Sequence, residues 1–383
     1  MTSNHFGDLF KGKRVLITGH TGFKGSWLSL FLSELGAEVH GYALEPHTSP
    51  SLFDKAGIVL CLASHTIADV RNHDALTRTI QQVRPEIIFH LAAQSLVRSS
   101  YSNPRETYDV NIMGTINLME AIRKIDSVRV CMIITSDKCY EDKEWIYPYR
   151  ENDPMGGFDP YSSSKGCVEL VVSAYRRSFF NPEEINLHGV SLSSVRAGNV
   201  IGGGDWSDDR ILPDCIKALE KGEPIIVRNP DAVRPWQHVL EPLSGYLRLS
   251  ARQLGDPSKY ACAWNFGPNM DQNVTVGDVV DKVIEYWGNG TWTLGAGAGS
   301  RSKTALHEAK SLRLDSSKAT TLLGWRPVYP FCESIKKTVL WYREAYDDQD
   351  FDAHAYTCSQ IGSYTEAAYL SRTKTRSKRE QED

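Results

Sequence analysis

The sequence has no long hydrophobic run, no excess of one charge and no paired-cysteine motif. No window approaches the ~18 unbroken apolar residues of a membrane-spanning helix. Met1 to Lys13 carries no apolar core of a secretory signal. Nucleic-acid binders show a clear basic excess, but here 43 Lys+Arg stand against 47 Asp+Glu, a formal net charge of -4. That balance speaks against nucleic acid as a partner. It leaves small anions open, since a few well-placed arginines suffice for those. The eight cysteines form no C-x-x-C pair, so the usual zinc spacing is missing and no metal site is expected. Several lie in apolar runs, such as Cys131 in Val130-Cys131-Met132-Ile133-Ile134, and read as small buried hydrophobes. The expectation is a cytoplasmic protein with reduced thiols and no membrane partner.

What is present is length and alternation. At ~150 residues per domain, 383 residues make roughly two to three domains. Short apolar runs, rich in β-branched residues, predict strands at 14–18, 38–43, 64–68, 86–91, 128–135 and 187–195. Helical stretches are predicted between them, at 25–35, 74–83, 107–124 and 161–180. Near-continuous apolar strands alternating with helices indicate a parallel sheet covered on both faces. That is the α/β class, a doubly wound parallel sheet of Rossmann type. After Arg196 the pattern loosens into shorter elements, expected to form a second, smaller α/β domain for the substrate. The expected division puts residues 1–196, with about 233–266 returning, in the dinucleotide-binding domain. About 197–232 and 267–360 make the substrate domain, and 361–383 a flexible charged tail.

Gly19-His20-Thr21-Gly22-Phe23-Lys24-Gly25 follows the first strand and opens the first helix. A pyrophosphate needs backbone N–H groups aimed at it and no side chain in the way. Glycines at a strand-to-helix turn supply both, and the helix amino end adds a favourable field. Gly19, Thr21, Gly22, Phe23, Lys24 and Gly25 are the candidate cofactor residues. Gly25 is also expected to let the helix pack close to the sheet.

The spacing is G-x-x-G-x-x-G, which resembles the extended branch of the short-chain dehydrogenase/reductase superfamily. His90-Leu91-Ala92-Ala93 and Asn111-Ile112-Met113-Gly114-Thr115 fit the same resemblance. It implies that Leu91, Ala92 and Ala93 line the cofactor and that Asp69-Val70 meets the adenine amino group. It gives Asn111 a supporting role through water; otherwise Asn111 is a polar residue in a helix. A ribose-binding acid or a phosphate-binding Arg is the usual sign at the end of the second strand. Tyr42-Ala43-Leu44 supplies neither, Glu45 lies just beyond, and no Arg or Lys follows before Lys55, so NAD is the expected cofactor.

Tyr161 and Lys165 are four residues apart at the start of a predicted helix and so share a face. Tyrosine has a pKa of about 10, too high for a ready base, and a nearby ammonium favours the phenolate. Tyr161 is expected to take a proton from a sugar hydroxyl. Lys165 is expected to hold the nicotinamide ribose. The fifth strand ends in Ser136-Asp137-Lys138, and ligands of doubly wound sheets sit at carboxyl ends of strands. A hydroxyl with the tyrosine suffices for simple redox chemistry, whereas an extra acid and base suit elimination of water.

At this point the chain resembles the nucleotide-sugar 4,6-dehydratases, which carry a hydroxyl–acid–base triplet here. Lys138 stands where those acting on dTDP-glucose have Glu. The run 135–140, the turn 19–28 and the loop Arg196-Ala197-Gly198-Asn199-Val200-Ile201-Gly202-Gly203-Gly204-Asp205-Trp206 carry the likeness. The resemblance implies CDP-glucose or a related nucleotide sugar as substrate, Asp137 as acid and a neutral Lys138 as base. It also implies deoxysugar supply for surface polysaccharide and a homodimer built on helices 107–124 and 161–180, open to pairing into a dimer of dimers. Asn199 and Arg234 match its diphosphate-binding positions, with Arg210, Arg228 and Arg301 as helpers. Trp206 either stacks on the base or packs the core. His20 is either structural or a substrate contact. The rival readings are a dehydratase for dTDP- or GDP-sugars, a nucleotide-sugar 4-epimerase and a non-enzymatic dinucleotide sensor.

Overall fold

The structure is a computed structural model that describes residues 6–269, 274–295 and 312–382. Its strands are β1 (Arg14–Thr18), β2 (Glu38–Ala43), β3 (Ser64–Ile67), β4 (Ile87–His90), β5 (Val130–Ile134), β6 (Ser191–Ala197), β7 (Val200–Ile201), β8 (Ile225–Val227), β9 (Gln237–His238), β10 (Ala263–Phe266) and β11 (Trp292–Leu294). All five residues of β5 are buried, so this strand needs cover on both faces. Seven strands make one sheet in the order β10-β6-β5-β4-β1-β2-β3, every neighbour parallel. The order reverses between β1 and β4, which opens a crevice at the carboxyl ends of the strands.

The helices α1 (Phe23–Glu34), α2 (Leu52–Lys55), α3 (His73–Val83), α4 (Val97–Ser102), α5 (Pro104–Tyr108), α6 (Gly114–Ile122), α7 (Pro160–Ser178), α8 (Ile185–His188), α9 (Ile211–Glu220), α10 (Leu240–Gly255), α11 (Val276–Trp287), α12 (Phe331–Asp347) and α13 (Ala353–Glu382) complete the fold. Strand side chains alternate between two cores, as a period of two requires. Val15, Ile17, Phe89 and Met132 join Trp27 and Leu28 of α1 and Leu243 and Leu247 of α10. Leu16, Ile88, Cys131 and Ile133 join Leu76 of α3, Leu118 of α6 and Val168 of α7. The smaller half is a parallel pair, β8 with β11, flanked by α9, α11 and α12.

Three differences from the sequence expectation have physical causes. The helix expected at 107–124 is α5 and α6 joined by a π turn at Asp109–Met113, whose extra residue buries Asn111. Helix α10 was not anticipated: most of its residues are buried, which blunts the periodicity that marks a half-exposed helix. The expected flexible tail from 361 is instead the continuation of α13, anchored by buried Ile361, Tyr364 and Ala368.

Among the described residues no helix is long and apolar enough to cross a membrane, and no group of three or more His, Cys, Asp or Glu side chains could hold a metal ion. The eight cysteines are free.

Candidate active site

The glycine turn lies at the crevice. Gly19 has φ +77°, and a Cβ there would sit 2.7 Å from the backbone N of Ala92. A Cβ on Gly25 would run into the carbonyl oxygen of Gly19, so only glycine lets α1 start this close to β1. At Gly22 the only near atom is that carbonyl oxygen, at 3.5 Å. The first turn of α1 has neither a side-chain cap nor an acidic residue, so its N–H groups are left for an anion. Thr21 Oγ1 donates to the Leu44 carbonyl at 2.8 Å, which ties the turn to the end of β2. Phe23 is half-buried and lies against Gly202.

Lys24 adds a cation. Burial, then the fields of Arg210 and Lys165, push its ammonium down to about 8, with Asp137 acting the other way. Such crowding of cations fits a site made for a diphosphate. On the opposite wall, Leu91 N and Ala92 N donate to the backbone oxygen and hydroxyl of Thr18. Ala93 follows, half-buried. Val70 packs against Gly114, whose Cβ would lie 2.7 Å from it. Asp69, expected to face adenine, has its carboxylate gripped by Arg71 through Nη2 at 2.6 Å and Nε at 2.9 Å. That grip, chiefly the side-chain hydrogen bond, holds Asp69 below the usual carboxylate range. These features together fit a dinucleotide.

Tyr161 and Lys165 are both buried in the first turns of α7, whose start is capped by Asp159. Burial pushes the Tyr161 hydroxyl up to about 12. Its hydrogen bond with Ser136 and the field of Arg210 work downward, and Asp137 works upward. The sequence points to Lys165 as the cation acting on Tyr161, and the structure adds the field of Arg210 there. Lys165 Nζ donates to the Ile134 carbonyl at 3.3 Å. Burial lowers Lys165 to about 8, and Glu169, one turn on, raises it.

Ser136 Oγ donates to Asp137 Oδ1 at 2.8 Å and accepts from Lys138 N at 3.2 Å, closing a short turn after β5. Lys138 Nζ stands 4.0 Å from Asp137 Oδ1. Of the two, Asp137 is the buried member, with its side chain 3% exposed against 28% for Lys138.

On the substrate side, Arg210 pairs with Asp205 at 2.8 Å and reaches the tyrosine electrostatically. Asn199 accepts from Gln237 N through its backbone, joining β7 to β9. Arg234 Nη1 donates to the Val233 carbonyl at 3.0 Å. Arg228 is exposed and pairs with Asp209 at 3.5 Å. Arg301 lies outside the described residues. Trp206 packs edge-on against Trp341 and Tyr342, which decides for the core. The His20 ring is fully buried against Phe53 and His65, with burial lowering it to about 4.

The sequence reading names Asn111 without its partners and misses Glu169 altogether. Asn111 Nδ2 donates to Ser164 Oγ at 2.7 Å and to the Gln94 carbonyl, locking the π turn behind Tyr161. Glu169 pairs with Arg196 at 2.8 Å, both buried; Arg196 donates to Tyr140 Oη, which donates to Asn265. This network ties α7 to the turn that carries Asp137 and Lys138. The spacing of Lys165 and Glu169, four residues, was the available signal.

A doubly wound sheet with a glycine-rich first turn, a Tyr–Lys pair on one helix and a hydroxyl at the end of β5 defines an extended short-chain dehydrogenase/reductase. The chain belongs to the GDP-mannose 4,6 dehydratase family, whose family model matches residues 16–338. It is similar to a CDP-glucose 4,6-dehydratase of Salmonella typhimurium, 50% identical over 337 residues, covering 88% of this chain and 92% of the relative. It is 27% identical over 343 residues to a putative UDP-glucose 4-epimerase of Methanocaldococcus jannaschii, covering 86% and 98%. Its fold is shared by a dTDP-glucose 4,6-dehydratase of Bacillus anthracis solved with NAD, at TM-score 0.69 and 19% identity, covering 87% and 97%.

Proposed function

We propose that this chain is an NAD-dependent nucleotide-sugar 4,6-dehydratase that converts CDP-glucose into CDP-4-keto-6-deoxyglucose and water. The observation that carries the reading is the Asp137–Lys138 pair, 4.0 Å apart and electrostatically in contact with Tyr161 through Asp137. Epimerisation at C4 has no use for an added acid and base. The choice of cytidine rests on the 50% identity to the Salmonella relative.

The turn 19–25, Lys24 and the amino end of α1 hold the cofactor diphosphate, Lys165 the nicotinamide ribose, Asp69 and Val70 the adenine, and Leu91 to Ala93 the facing wall. The chemistry supplied by NAD, when bound, is acceptance of hydride from C4 of the sugar and its return to C6. Tyr161, as phenolate, takes the C4 hydroxyl proton, with the Ser136 hydroxyl orienting the same oxygen. The resulting ketone acidifies the C5 hydrogen. Lys138 takes that proton, while Asp137 protonates the C6 hydroxyl as it departs as water. The proton held by Lys138 returns to C5 when C6 is reduced, and the proton Tyr161 took from the C4 hydroxyl passes to Asp137 by way of the Ser136 hydroxyl that both contact, which restores both groups. Asn199, Arg210, Arg228, Arg234 and Arg301 are assigned to the substrate diphosphate side.

Residues 1–196 with 233–266 then serve the dinucleotide, and 197–232 with 267–360 the nucleotide sugar. A homodimer on α6 and α7 is supported by exposed Leu170 on α7 and by exposed Met113 in the π turn that leads into α6. Cytoplasmic deoxysugar supply for surface polysaccharide, such as lipopolysaccharide O-antigen, is the proposed setting. The test is incubation with CDP-, dTDP-, UDP- and GDP-sugars and mass analysis of products. Loss of one water from CDP-glucose without net NADH is expected; an isomer of unchanged mass would make the chain an epimerase.

A further inference from the structure

Asp209 occupies an unusual place. It lies in the loop 205–210 with φ +58°, a left-handed conformation uncommon outside glycine and tolerated best by Asn and Asp. One oxygen of its carboxylate, Oδ1, meets Arg98 Nη1 at 3.0 Å and Arg228 Nη2 at 3.5 Å. The two arginines come from different halves of the molecule. Arg98 is on α4, just beyond the carboxyl end of β4, and Arg228 directly follows β8 of the smaller half. The next residue, Arg210, turns inward to Asp205 and acts on the Tyr161 hydroxyl. The two guanidinium groups therefore converge one residue away from the loop position that reaches the catalytic tyrosine.

Stability does not explain the arrangement. All three side chains are exposed, between 41% and 59%, and exposed ion pairs contribute only about 0–1 kcal/mol. Two guanidinium forks on a single carboxylate oxygen are also under-used. Their planar donors match a group with several anionic oxygens better.

We infer that Asp209 is a built-in stand-in for the substrate diphosphate, and that Arg98 is a diphosphate-binding residue contributed across the cleft. In the free enzyme Asp209 keeps Arg98 and Arg228 together and offsets half of their charge. An arriving nucleoside diphosphate sugar displaces the carboxylate and takes both guanidinium groups. The inference rests on the reading of the substrate as a nucleoside diphosphate sugar.

The test is calorimetric titration with CDP of the wild type, Asp209→Asn, Arg98→Gln and the double variant, each checked by thermal melting. Asn keeps the left-handed backbone and removes only the charge. Asp209→Asn is expected to bind CDP about five- to tenfold more tightly, and Arg98→Gln to bind it less tightly by a similar factor. The double variant is expected to lose the gain. Asp209→Asn binding no more tightly than wild type overturns the inference, as does a gain that survives in the double variant. Should either arginine variant unfold, Arg228→Gln or Arg98→Lys replaces it in the same comparison. The titrations are repeated with dTDP, UDP and GDP. Preference for one of these corrects the base of the substrate, and the Asp209 comparison is then read with that diphosphate. Absence of binding by all four, to both wild type and Asp209→Asn, overturns the stand-in together with the substrate reading.

Discussion

Tyr161 is placed where burial opposes its chemistry. A hydroxyl pushed up to about 12 is a poor base, and Ser136 and Arg210 only partly offset the burial. A positively charged nicotinamide beside it would shift the balance further toward the phenolate. Tyr161→Phe is expected to lower turnover of CDP-glucose by about 10²- to 10⁴-fold, the usual worth of a positioned base, while NAD affinity stays within about twofold. Product mass and cofactor titration check both halves, and turnover within a few-fold of wild type would remove the role. Tyr161, Lys165 and the Ser136–Lys138 triplet were legible because chemistry fixes their spacing and order. The approach of Arg210 was not, because the loop 202–210 has no periodicity from which to read a direction.

At the scale of elements, α7 and the turn after β5 are held together by one buried network. Glu169 accepts from Arg196, Thr135 and Ser194, and Arg196 continues to Tyr140. Arg196 holds Glu169 ionised, below the usual carboxylate range despite its burial. The ionised Glu169 in turn raises Lys165, which burial alone would place lower. Glu169→Gln removes that support, so Lys165 loses its proton at lower pH. The alkaline limb of the pH–rate profile is expected to move from near 8 toward neutrality, with a stability loss of about 3–5 kcal/mol from the unpaired Arg196. A profile superimposable on wild type, from a folded variant, would deny the coupling. The strands and most helices of the sheet half were legible from alternation. Helix α10 was not, since a helix buried on nearly every side loses its periodic signature, and the π turn at Asn111 left no mark in composition.

For the whole molecule, Glu241 is where the sheet half and the carboxyl-terminal helices meet. Its buried carboxylate, on α10, accepts from Val328 N, Tyr329 N and the hydroxyl of Tyr364 on α13. Burial raises it from 4.5 to about 7, with those three hydrogen bonds working the other way. Between these values the folded chain binds more protons than the unfolded one. The stability contribution is therefore full below about 4.5 and is lost as pH rises through 7, of order 3 kcal/mol at most. Glu241→Gln removes the titration. The melting temperature of wild type relative to Glu241→Gln is expected to fall between pH 5 and pH 8; parallel curves would contradict it. The anchoring of α13 was illegible because its buried face, Ala353, Thr357, Gln360, Ile361, Tyr364 and Ala368, mixes small and polar residues with the two large ones and so gives little apolar periodicity.

In the proposed reaction one site oxidises C4, expels the C6 hydroxyl and reduces C6 with the same hydride. The most direct measurement is turnover of CDP-glucose deuterated at C4, followed by mass and NMR analysis of the product. Loss of one water, deuterium at C6 and no accumulated NADH are expected. Deuterium remaining at C4 in a product of unchanged mass would contradict the proposed reaction.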